Sequence, residues 1–170
     1  AGVQKNLGPA GVCLVVARKS FIENSPQALP TMLRYDTYGK NNSLYNTPPA
    51  FGIYMVGKVA AWIKKQGGLE AMGKLNAAKA KVIYDALDNS NGFYRGHADK
   101  DSRSFMNVTF RLPTEELEKK FVAEALEHSL GGVKGHRSVG GMRTSIYNAM
   151  PYEGCVALTD FMEKFRKANA

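Results

Sequence analysis

Six apolar residues, Val12-Cys13-Leu14-Val15-Val16-Ala17, follow the turn Gly8-Pro9-Ala10-Gly11 without a polar interruption. A half-buried strand alternates apolar and polar side chains, so an unbroken run bounded by turn residues predicts a strand covered on both faces. Such a strand needs neighbours, and the residues ahead of it are too few to supply them. The expectation is an α/β fold whose sheet draws on an upstream half outside this sequence. Lys5, between the amides Gln4 and Asn6, lies on the turn that feeds the run. Against a buried strand its amine is expected beside an apolar wall, where burial disfavours the charged form and favours a nucleophilic amine.

The remainder divides by pattern. Arg18 to Tyr38, punctuated by Ser25-Pro26 and Leu29-Pro30, reads as an irregular connection, and the Asn-rich stretch to Tyr45 as a surface loop. Thr47-Pro48-Pro49 is a helix start, since Pro is preorganised for a first turn that does not use its missing N–H. The predicted helix runs to about Gln66 with Phe51, Met55, Val59, Trp62 and Ile63 on one inner face, and Gly67-Gly68 stops it. A second helix, Leu69 to Leu87, places Met72, Leu75, Ile83 and Leu87 on a common side. Asn107 to Leu112 alternates as a half-buried strand. A helix opening at Pro113-Thr114-Glu115 follows, with Leu117, Phe121, Val122 and Ala125 inward. Two strands, Val133–Val139 and Met142–Asn148, are expected to form a hairpin at Gly140-Gly141. A final helix from Pro151 carries Leu158, Phe161, Met162 and Phe165 at helical spacing. This order describes a small α/β domain with a mainly antiparallel sheet.

The formal net charge of +8 raises nucleic acid as a partner. Most lysines, among them Lys58, Lys74, Lys79, Lys81, Lys119 and Lys120, fall in helical patterns and read as solvated faces rather than a stripe interleaved with aromatics. The compact basic group is Lys134, His136, Arg137 and Arg143 in a Gly-rich setting, which suits a small multiply charged anion better than a duplex. No apolar stretch reaches the length of a membrane span. Cys13 and Cys155 form no disulfide framework, no cluster has metal spacing, and a reducing cytoplasmic compartment is expected. His97 and His128 receive no role.

Three groups can carry chemistry. Lys5 offers an amine. Asn46 and Thr47 stand at a helix N-terminus, whose unpaired N–H groups and partial positive charge favour phosphate; a plain cap and turn is the alternative. Arg143 offers a fork that grips a carboxylate at two points. On their own, His136 and Arg137 read as a satisfied hairpin histidine and a surface ion pair.

Taken in order, Gln4-Lys5-Asn6, Asn41 to Pro49 and Lys134 to Ala149 resemble the phosphoserine aminotransferases, fold-type I, class V enzymes dependent on pyridoxal 5'-phosphate (PLP). The resemblance runs from Ala1 to the end of the chain and implies the C-terminal half of such an enzyme. It implies residues 1–68 as the rest of the PLP-binding large domain, 69–92 as an interdomain helix and 93–170 as the small α/β domain. It implies that Lys5 is catalytic and carries PLP, and that Asn46 and Thr47 reach the PLP phosphate of the neighbouring subunit in a homodimer with shared active sites. Arg143 then takes the substrate α-carboxylate, and His136 and Arg137 its distal anion. The implied substrates are L-glutamate and 3-phosphohydroxypyruvate, giving O-phospho-L-serine and 2-oxoglutarate in serine biosynthesis. Two alternatives stand beside this: another class V PLP enzyme, or a non-catalytic dimerisation or anion-binding fragment.

Overall fold

Glycines at positive φ, Gly67 (100°) and Gly68 (77°), break the helical path near the middle of the chain, where side chains with a Cβ would be strained. The computed structural model describes residues 1–170 and comprises two compact units, Ala1–Lys64 and Lys65–Ala170.

In the first unit, Val3 is buried; its N–H donates to the Val12 carbonyl (3.1 Å), and its own carbonyl receives the N–H groups of Leu7 and Gly8 (3.0 Å each). These bonds shape the Lys5 turn. The run from Val12 to Ala17 is not the buried strand its composition predicts. It makes one isolated bridge, Cys13 to Gly2, and Val16 is 90% exposed. A strand is defined by the ladder beside it, and the only partner here is the first few residues. The connection that follows is more ordered than its Pro punctuation suggests. It holds two short helices, α1 (Lys19–Glu23) and α2 (Tyr35–Lys40), with a 3-10 turn at Thr31–Leu33. Asp36 ties α2 down: its buried carboxylate accepts from Arg34 (2.7 and 3.0 Å) and Lys40 (2.9 Å), and its N–H donates to Ser25 Oγ.

Helix α3 (Ala50–Lys65) starts behind Pro48-Pro49 as expected. Its predicted inner face is not a core, because Phe51 is 74% exposed and only Gly52 and Ile63 are buried. Periodicity identifies an amphipathic stripe but not what covers it.

The second unit contains the hydrophobic core. Helix α4 (Gly68–Asp88) packs on α6 (Tyr152–Asn169), and α5 (Glu115–Glu127) lies between β2 and β3 in sequence. Thr114 caps α5 by accepting from the Leu117 N–H (3.2 Å). Strands β1 (Arg95–Gly96), β2 (Asn107–Arg111) and β3 (Met142–Ser145) form an antiparallel sheet in that order. The register pairs Val108 with Thr144 and Phe110 with Met142, so the buried residues of both strands share one face. Phe121 lies at the centre of that core, with ring centroids 5.0 Å from Phe161 and 5.1 Å from Phe165. Burial pushes the Tyr94 phenol well up, and its hydroxyl donates to the Met162 carbonyl (2.7 Å). The mixed fold with a mainly antiparallel sheet is the architecture the patterns predict. The short strand β1 falls in a stretch that reads as polar loop.

Candidate active site

The Lys5 turn rests on the start of α3. A Cβ on Gly52 would collide with Val12, and one on Gly8 would crowd Val56, so glycine lets the turn lie directly against the helix. Lys5 itself is exposed rather than set against an apolar wall, because the run behind the turn is uncovered. Asn46 and Thr47 are also exposed, and Asn46 Nδ2 donates to the Thr47 carbonyl (3.2 Å). They immediately precede the Pro-started end of α3, a 16-residue helix. Within the first unit, therefore, an amine-bearing turn packs on α3 and two polar side chains immediately precede that helix.

In the second unit, His136 and Arg137 do not lie on a strand. The hairpin predicted at Gly140-Gly141 is instead a broad loop. Lys134 bridges to Met142, the Gly135 N–H donates to the Gly141 carbonyl (2.7 Å), and a turn spans His136 to Val139. Gly135 faces the Gly140 and Gly141 backbone so closely that any Cβ there would overlap both carbonyl oxygens. Gly140 and Gly141 (φ +75° and +66°) are the C-terminal limb of this loop rather than its tip.

The loop walls a cavity of about 520 Å³ closed on its other side by α5. Four cationic side chains line it, Arg111, Lys119, Lys134 and Arg137, against the carboxylates Glu115 and Glu118. His136 joins them, and its Nδ1 accepts from the Ser138 N–H (3.3 Å) and lies 2.7 Å from Ser138 Oγ. In the neutral tautomer whose Nδ1 accepts both contacts, Nε2 carries the proton and is a donor for a ligand.

Arg143 stands apart from the cavity lining, on β3 opposite Thr109, with its N–H bonded to the Val133 carbonyl (2.9 Å). Its Nε is buried and has no hydrogen-bond partner. A buried donor left unpaired costs about 1–3 kcal/mol, so Arg143 Nε can take an added acceptor; Arg103 Nε is left in the same state although its guanidinium already holds Asp88.

The Aminotransferase class-V family model matches residues 1–158. The chain belongs to the class-V aminotransferases. A phosphoserine aminotransferase of Niallia circulans is 62% identical over 169 residues, 99% of this chain and 47% of that protein. The solved phosphoserine aminotransferase from Bacillus circulans subsp. alkalophilus superposes with a TM-score of 0.96 at 61% identity, covering 99% of this chain and 47% of that one. The PLP-bound phosphoserine aminotransferase of Trichomonas vaginalis gives 0.89 at 40% identity, over 95% of this chain and 46% of that one. The chain thus spans about half the length of the relatives it matches, and its fold is that of the matching part of these PLP enzymes.

Two residues of this class-V family chain escape sequence reasoning. Lys79 reads as part of a solvated face yet is fully buried, and its Nζ donates to the carbonyls of Tyr147 (2.8 Å), Met150 (3.1 Å) and Ile146 (3.3 Å). All three ammonium donors are used, while burial draws its pKa down. Arg111 reads as an outward position of an alternating strand. In the fold it reaches both Glu118 and the basic loop. Its position two residues before Pro113 carries no signal of either contact.

Proposed function

We propose that this chain is the C-terminal half of a phosphoserine aminotransferase, transferring an amino group between L-glutamate and 3-phosphohydroxypyruvate. The observation that carries the reading is the pairing of a cation-rich cavity at His136 and Arg137 with the buried, unpartnered Nε of Arg143. Two anion-binding elements in one unit suit substrates that carry an α-carboxylate and a second anionic group. The likeness to phosphoserine aminotransferases over 99% of this chain supports the same substrates.

The first-unit residues fit PLP. Lys5 presents an exposed amine on a turn held against α3, and Asn46 and Thr47 add an amide and a hydroxyl beside a helix N-terminus suited to phosphate. PLP, when bound, supplies an electron sink for the substrate Cα. Lys5 anchors it and moves the proton at that Cα as general base and acid. Arg143 orients the α-carboxylate, and His136 Nε2–H and Arg137 hold the distal phosphate or carboxylate. Asn46 and Thr47 serve the neighbouring subunit's cofactor, so the assembly is a homodimer with shared sites. Residues 1–68 complete the large domain, 69–92 join the domains and 93–170 form the small one. No helix is long and apolar enough to cross a membrane, and the cytoplasm is the proposed compartment.

The test uses the full-length protein that carries this chain. Borohydride in the presence of PLP should label Lys5, located by peptide mapping, and Lys5→Ala should lose both label and turnover. A label on another lysine defeats the assignment. Preference for alanine with glyoxylate, or release of sulfur from cysteine, would move the protein to a different class V activity.

A further inference from the structure

A line of polar contacts, an ion pair followed by hydrogen bonds, runs from helix α5 to the basic loop. Glu118 is buried; its Oε1 accepts from the Leu112 N–H (3.3 Å) and forms an ion pair with Arg111, 2.8 Å from Nε. Arg111 Nη1 donates to the Val139 carbonyl (2.9 Å), and the N–H groups of Val139 and Gly140 donate to the His136 carbonyl (3.0 and 2.8 Å). Gly141 lies flat on the Arg111 side chain, where a Cβ would overlap Arg111 Cδ and the Phe110 carbonyl. The loop's other ties are its own turn and the Gly135 bond at its base; Arg111 is the side chain that joins it to the rest of the unit.

We infer that Arg111, oriented by Glu118, is a positioning residue that fixes the loop bearing His136 and Arg137 and so sets affinity for the substrate's distal anion. A guanidinium suits this task because its rigid plane pairs with the Glu118 carboxylate while Nη1 donates to the Val139 carbonyl, whereas an ammonium has no fixed direction. Glu118 neutralises much of the Arg111 charge, so the residue holds the loop while Lys134 and Arg137 keep theirs for the ligand. The proposal rests on the reading of His136 and Arg137 as the distal-anion site.

The experiment compares Arg111→Met, Arg111→Lys and Arg137→Ala in the full-length, PLP-loaded enzyme. It measures amide hydrogen exchange and KM for O-phospho-L-serine and for L-alanine, which lacks a distal anion. Arg111→Met should speed exchange at Val139 and Gly140 by about tenfold or more while the α5 amides keep their protection. KM for O-phospho-L-serine should rise about tenfold, with KM for alanine little changed. Arg111→Lys should fall between wild type and Arg111→Met. In an Arg137→Ala background, Arg111→Met should add little further. Unchanged loop exchange overturns the proposal, as does a loss of α5 protection in step with the loop. So does a KM for O-phospho-L-serine that moves in Arg137→Ala but not in Arg111→Met. If Arg137→Ala leaves that KM unmoved, the distal-anion reading itself fails, and the exchange data then show separately whether Arg111 still holds the loop.

Discussion

Lys79 Nζ on α4 lies 2.8 Å from the carbonyl oxygen of Tyr147, two residues beyond the end of β3. Together with the bond from Asn76 Nδ2 to Asn148 Oδ1 (2.8 Å), it joins the segment after the Arg143 strand to α4. Lys79→Met fills the volume but leaves three carbonyls without their donor. The expected loss is about 2–3 kcal/mol in urea denaturation. A variant as stable as wild type would mean that water or backbone movement replaces the ammonium.

Phe121 and Phe51 form a matched contrast. Phe121 is fully buried among Tyr94, Phe110, Phe161 and Phe165, so Phe121→Ala should cost about 3–5 kcal/mol. Phe51 is 74% exposed in this chain, and Phe51→Ala should change its stability by no more than about 0.5 kcal/mol. Denaturation of both variants of the 170-residue chain checks the pair.

Arg143→Lys keeps the charge and removes the fork. The ammonium cannot reproduce an Nε donor beside a second N–H, and the expected loss is on the order of 1–3 kcal/mol in substrate binding. With Arg143 on the α-carboxylate, as proposed, KM in the full-length protein should rise for glutamate and O-phospho-L-serine alike, since both carry that group. A rise for one alone would move Arg143 to the distal pocket.

Asp36 predicts an acid response in the first unit. Hydrogen bonds from Arg34, then Lys40, hold its carboxyl well below the usual carboxylate range. Between the folded and unfolded pKa values the unfolded chain binds the extra proton, so stability falls as pH falls. The contribution is therefore complete above about pH 4, the ordinary Asp value, and declines below it toward the depressed folded value. Asp36→Asn should flatten this part of the pH profile. An unchanged acid limb would remove Asp36 as its cause.

Sequence and fold agree where an element's partners lie close by in the same unit. Strand β2, the Thr114 cap of α5 and the spacing of Phe161 and Phe165 are local patterns that their neighbours complete. The Val12 run fails as a strand because strand character belongs to a ladder, and composition cannot supply the ladder. Lys79 fails as a surface residue because helical periodicity averages over turns, and three carbonyls can replace water around one ammonium. The basic group around His136 was legible as charge, but its geometry was not. Gly140-Gly141 signals a tight turn, whereas here the same freedom lets backbone lie against Arg111.

The apolar core lies wholly between Ala80 and Phe165, whereas the first unit buries few large side chains beyond Val3 and Ile63. A protease would therefore meet two different substrates in one chain. Cleavage needs a stretch of roughly ten residues to open and enter the enzyme's cleft, and opening is easiest where little apolar surface must be exposed. Segments such as Arg18 to Asn46 should be nicked early, and a fragment containing α4 to α6 should survive as the resistant product.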